Sequence, residues 1–140
     1  MNQEKYLFGK NEELQAIYIP TSASSEGVKF ITNPTNDLQV GLMTRDNKSP
    51  VASHRHKKVK RIIETTQEFL LVRSGIAEVF IYNEDGTQSH KIKLSDGDSI
   101  LLISGAHKIE FLTSTQLLEV KQGPYLPAND KVYLGINHED

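Results

Sequence analysis

The chain has 140 residues, no cysteine, 37% hydrophobic and 24% charged residues, and a formal net charge of −2. That length fits one domain able to bury a core without covalent help, and the missing cysteines exclude a disulfide framework, thiolate metal ligands and a cysteine nucleophile. A near-neutral charge with both signs interspersed gives no general pull toward nucleic acid or an anionic membrane, so neither is expected as a partner.

Residues 1–5 carry no basic patch followed by an apolar stretch, and no uninterrupted apolar run exceeds four residues. Export and membrane insertion are therefore not expected, and the cytoplasm is the expected compartment.

From about residue 15 the chain is a succession of short β-rich runs separated by turn chemistry, without long helical periodicity. The pattern predicts strands near 15–19, 28–32, 38–44, 51–56, 68–73, 77–82, 90–94, 99–103, 107–112 and 116–121. Ser74-Gly75, Asn83-Glu84-Asp85-Gly86 and Ser95-Asp96-Gly97-Asp98 are turn signals, and they predict that consecutive strands are antiparallel neighbours. One domain over 1–140 is expected, with its core barrel at about 28–122. The tail, 123–140, lies outside that barrel, wrapping it or joining an interface.

Of five histidines, His54 and His56 matter first. In a strand, residues two apart share a face, so both imidazoles could grasp one ion. In the 68–73 strand, Glu68 shares a face with Leu70 and Val72. A carboxylate facing an apolar interior is costly unless compensated, and a divalent cation compensates it directly. His107 alternates with Ile109 and Phe111 in the same way. Three imidazoles and one carboxylate suit iron, manganese, nickel, copper or zinc, with positions left open for water or substrate. The competing readings are polar residues on a barrel without metal and, for Glu68, an ion pair to a neighbouring lysine.

These residues carry a family resemblance. His54-Arg55-His56, followed by Glu68 and, seven positions on, Gly75, resembles the first cupin motif; Gly97 through Gly105 to His107 is similar to the second. The resemblance covers roughly 38–123 and implies an all-β, cupin-type double-stranded β-helix (jelly-roll) barrel with His54, His56, Glu68 and His107 as metal ligands. The chain departs from the motifs: eleven residues separate His56 from Glu68, Lys48 stands where a glycine is expected, Ile103 replaces a proline and Phe111 an asparagine. The long insertion at 57–67 is expected to form a loop at the pocket mouth, where Glu64 competes with Glu68 as the carboxylate ligand.

Lys57, Lys58, Lys60 and Arg61 read either as a clamp for a substrate anion or as a solvated loop. His90 and His138 read as ordinary surface or hairpin histidines, and Glu110 and Glu119 as solvated acids. Tyr82 is a candidate proton donor; Tyr125 and Tyr133 read as packing residues. No catalytic residue can be assigned. Three functions remain open: a metal-dependent isomerase or epimerase acting on a small anionic or carbohydrate-type substrate, an iron-dependent dioxygenase, and a cupin that binds or senses a small ligand without turnover. Residues 118–125 resemble small cupins of bacterial surface-polysaccharide sugar metabolism, which favours the first. A homodimer is expected through an apolar face carrying Phe69, Leu71, Phe80 and Tyr82.

Overall fold

The computed structural model describes residues 3–134 and contains ten strands: β1 (Lys5–Phe8), β2 (Leu14–Ile19), β3 (Gly27–Phe30), β4 (Gly41–Thr44), β5 (Glu68–Ser74), β6 (Ala77–Tyr82), β7 (Gln88–Leu94), β8 (Ser99–Leu102), β9 (Ala106–Phe111) and β10 (Gln116–Lys121). They form a five-stranded sheet in the order β1-β2-β8-β5-β10, a three-stranded sheet in the order β7-β6-β9, and the β3-β4 pair, with every pairing antiparallel. Among the described residues no helix is long and apolar enough to cross a membrane.

Alternation along the strands builds two cores. On one face of the large sheet Ala16, Leu70, Val72, Ile100 and Leu102 pack against Val79, Ile81 and Leu94 of the small sheet. The residues between them along the strands, Ile17, Ile19, Leu101 and Phe69, point to the opposite face. There Ile31, Leu38, Val40 and Leu42, from the chain around β3-β4, cover them. The large sheet is thus buried on both faces. This explains why β8, its central strand, is buried at all four positions and reads as a continuous apolar run.

The architecture is all-β, as the sequence predicts, and consistent with a β-sandwich. Four expectations need correction. First, β1 and β2 precede the expected start of the core at residue 28, yet Leu7, Ala16, Ile17 and Ile19 are buried in it. Second, only some consecutive strands are neighbours: β6 and β7 form a hairpin, but the turns at Ser74-Gly75 and 95–98 carry the chain from one sheet to the other. The tightness of the first crossing requires glycine, since Gly75 has φ 101° and a Cβ there would approach the Ser114 carbonyl oxygen to 2.5 Å.

Third, residues 51–56 form no strand and pair with nothing; the whole of 45–67 is irregular. Val51, Ser53 and Arg55 alternate with Ala52, His54 and His56, but neither set is apolar enough to bury a face, and alternation alone does not supply a partner. Fourth, the apolar face expected for dimerisation is largely occupied within the chain. Phe69 packs in the second core and Tyr82 is buried, while Phe80 is flanked by Lys108 and Lys91, whose ammonium nitrogens lie 4.4 and 5.3 Å from its ring centre. His138 and the 135–140 part of the tail fall outside the described residues.

Candidate functional site

Where the two sheets part, beside β9 and β10, they enclose a cavity of about 610 Å³. Its placement follows from strand register. Lys121 of β10 lies opposite Glu68 of β5, which lies opposite Leu102 of β8. Along β10, Leu117, Glu119 and Lys121 therefore share the inward face with Glu68 and Leu70. From the small sheet, His107 pairs with Ile81, so His107, Ile109 and Phe111 face the same space. The tail closes one side with Asp130, Lys131 and Tyr133.

Glu68 and His107 meet across this space. His107 Nε2 lies 3.1 Å from Glu68 Oε2, although the two residues belong to different sheets. The Glu68 side chain is mostly buried, and the His107 side chain is about one-third exposed. The close contact with His107 holds the Glu68 carboxyl below the usual carboxylate range against the opposing push of burial, and the charges of His107, Lys121 and Lys131 add to the effect. The competing reading of Glu68, an ion pair to a neighbouring lysine, gives way to a histidine partner, with the lysines acting through space.

The charge dependence of this pair is measurable. Glu68 contributes stability that is fully present above the ordinary glutamate pKa of about 4.3 and is lost as pH falls through its lower folded value. Solvent reaches the pair, which limits the contribution to about 1 kcal/mol or less. Urea unfolding at neutral and acid pH should therefore show a smaller acid loss for Glu68→Gln than for the unsubstituted chain; identical losses would contradict the pairing.

Sequence reasoning placed Glu68 and His107 on inward faces, and both line the cavity. The other candidates sit elsewhere. His54 and His56 stand together on the exposed 45–67 segment, ring centres 5.2 Å apart, with His54 Nδ1 2.8 Å from the Ala52 carbonyl oxygen. Lys57, Lys58, Lys60, Arg61 and Glu64 are exposed, and none lines the cavity; of the insertion only Thr66 does. The basic run is therefore not a clamp over this pocket, and Glu64 is no rival to Glu68 here. Among the described residues no group of three or more His, Cys, Asp or Glu side chains converges on one point. Glu68 and His107 supply two donors where a stable transition-metal centre takes three or four, so the four-ligand set does not fit as placed.

Sequence reasoning took Glu119 for a solvated acid and did not single out Lys121, Asp130 or Lys131, yet all four line the cavity. The signal was available for two of them, because Leu117, Glu119 and Lys121 alternate in step. Lys121 Nζ lies 3.0 Å from Asp130 Oδ2 and 5.5 Å from the Tyr125 ring centre, so the tail is pinned to β10. His90 is a hairpin histidine as expected, with Nε2 2.7 Å from the Phe8 carbonyl oxygen.

The cavity combines an apolar floor of Leu70, Leu102, Ile109 and Leu117 with three carboxylates (Glu68, Glu119, Asp130) and two ammonium groups (Lys121, Lys131). Leaving His107 aside, these five groups sum to a formal charge of −1. Such a lining offers acceptors, donors and an apolar surface together, and it can orient and move a proton through the histidine. Comparison of the chain with protein-family models, with curated proteins and with solved structures finds no match.

Proposed function

We infer that the cavity binds a small polyhydroxylated, carbohydrate-type ligand and that His107, oriented by Glu68, transfers a proton on it, as an isomerase or epimerase does. The Glu68–His107 contact carries this reading. A histidine held by a carboxylate in a half-enclosed cavity is the arrangement that fixes a tautomer and stabilises the imidazolium formed when a proton is taken. The mixed lining supports a neutral polyol over an anion: three carboxylates against two ammonium groups give a free anion no net attraction, whereas carboxylates accept and lysines donate to hydroxyl groups. Phe111 and Tyr133 offer ring faces for the C–H side of a sugar. The four crossings of the chain between the two sheets from β5 to β10 support a cupin-type jelly roll as the finer description of the sandwich. The metal-dependent and dioxygenase readings need a donor set that His54 and His56 do not complete here.

The test is deuterium wash-in. Aldoses and ketoses are incubated with the protein in heavy water, and exchange at the carbon beside the carbonyl is followed by NMR. His107→Gln is expected to slow exchange by about a hundredfold or more, the contribution of a positioned general base. Sugar-induced shifts of the His107 ring without exchange would establish a binding protein and sink the enzyme reading. Absence of both would remove the carbohydrate reading altogether.

A further inference from the structure

The segment 45–66 differs in kind from the rest of the chain. It is 22 residues without a strand or helix, and every residue in it is exposed except Ser49, which is half-buried. Irregular stretches of this length inside a compact domain are uncommon. It holds seven of the sixteen Lys and Arg residues and only two of the eighteen Asp and Glu residues, a formal +5. The rest of the chain therefore carries −7. Among the described residues none of the seven cations forms an ion pair; every ion pair lies in the sandwich or joins it to its ends. The same segment exposes Val51, Val59, Ile62 and Ile63, with Ile62 at 78%.

Two features of the sandwich match these properties. It has an acid excess of the opposite sign. Among the described residues it also has an open edge at β10, the last strand of the large sheet, whose outward side chains Leu118 and Val120 are each 47% exposed. An edge of unpaired backbone groups is a template for another strand, and residues 51–56 have strand alternation with no strand to pair with.

We propose that this basic arm docks on a second copy of the chain, residues 51–56 adding to the partner's β10 edge while Arg55, Lys57, Lys58, Lys60 and Arg61 meet the partner's acid excess. Two-fold symmetry makes the exchange reciprocal, so both edges are covered and the assembly closes as a dimer. The occupant is a second copy because charge, edge and apolar surface are all complementary within one sequence. Nucleic acid is disfavoured because no aromatic residue is interleaved with the cations. Period-two alternation has a further consequence: with Val51 packed outward on Leu118 and Val120, Ala52, His54 and His56 take the inward face beside Glu119 and Lys121. Each copy then contributes to the rim of the other's cavity. This inference does not depend on what the cavity binds.

Analytical ultracentrifugation of the full chain at about 0.05 M and about 0.5 M salt tests the charge dependence. At low salt the mass is expected near twice 15.7 kDa, the dimer weakening at least tenfold at high salt. The K57E/K58E/K60E/R61E variant should be monomeric in both, with its circular dichroism unchanged. Zero-length cross-linking of a mixture of ¹⁴N and ¹⁵N chains then distinguishes exchange from folding back: heavy-to-light links from Lys57, Lys58 or Lys60 to sandwich carboxylates are expected. A monomer at low salt, a dimer indifferent to the charge reversal, or links confined to one isotope would overturn the proposal. Binding of a DNA or RNA oligonucleotide by a monomeric chain would replace it with a nucleic-acid role.

Discussion

Leu101→Ala is expected to cost about 3–4 kcal/mol of folding stability, within the range for truncating a fully buried leucine. Leu101 is completely inaccessible and sits in β8, between β2 and β5. Its side chain points to the outer face, where Ile17, Ile19 and Ile31 surround it, so truncation leaves a cavity that the sheet cannot close without moving two neighbouring strands. Leu118→Ala is the control: on the edge strand and half exposed, it should change stability by about 0.5 kcal/mol or less in the isolated chain. Both are read from urea unfolding, with the midpoint shifting at constant slope. The comparison tests more than one side chain. If Leu101→Ala cost under about 1 kcal/mol, the covering of the large sheet by residues 20–44 would be wrong, since among the described residues the side chains that cover that face come from this stretch.

Strand faces were legible in the sequence and strand neighbours were not. Period-two alternation placed Glu68 with Leu70 and Val72, and His107 with Ile109 and Phe111, so two residues almost forty positions apart could be assigned to one interior. Their contact at 3.1 Å is the product of that alternation and of a topology the sequence did not disclose. Ser74-Gly75 has the chemistry of a hairpin turn, but β5 and β6 enter different sheets; a turn signal fixes where the chain reverses, not which strand receives it. β1 escaped notice because four residues with a single buried position give alternation too little length. The turn that joins it to β2 also places Glu12, a non-glycine residue, at φ 63°, outside the usual turn vocabulary.

The candidate site divides along the same line. Glu68 and His107 lie on strands whose neighbours are apolar, so their faces could be read. Asp130 and Lys131 belong to a tail without periodicity, and only the fold brings them over the cavity. The His54-Arg55-His56 run pointed to a strand because its spacing suits one, yet the residues around it are charged and exposed. A local pattern cannot supply the burial that would make it a strand, and in this chain only contact with another surface could.

Asp98→Ala should be nearly as damaging as the core truncation, by a different route. The Asp98 carboxylate is buried and accepts hydrogen bonds from the Thr21 backbone N–H at 2.8 Å, the Ser95 backbone N–H at 3.0 Å and the Ser95 hydroxyl at 3.2 Å. One side chain thereby ties the crossing from β7 to β8 to the chain leaving β2. The adjoining backbone is fixed as well: Gly97 N–H donates to the Val72 carbonyl at 2.8 Å, and Val72 N–H donates to that of Asp98 at 2.9 Å. Burial and the charge of Asp98 both push the Tyr18 phenol up, as expected beside an ionised carboxylate.

Removing the carboxylate leaves two backbone donors without partners, at about 1–3 kcal/mol each when buried. A total near 3 kcal/mol follows once water is allowed to reach the exposed end of the turn. Asp98→Asn keeps the shape and one acceptor, so it should recover about half of that loss, whereas a purely steric role would make it equal to the unsubstituted chain. The consequence reaches the cavity through register. Asp98 anchors the start of β8, β8 holds Leu102 opposite Glu68, and a slip of one residue would turn every side chain of the strand to the other face. Hydrogen exchange should therefore show the backbone amides of β8 and of the 68–72 stretch of β5 losing protection together in Asp98→Ala; loss confined to 95–98 would show that the turn does not set the register of the sheet.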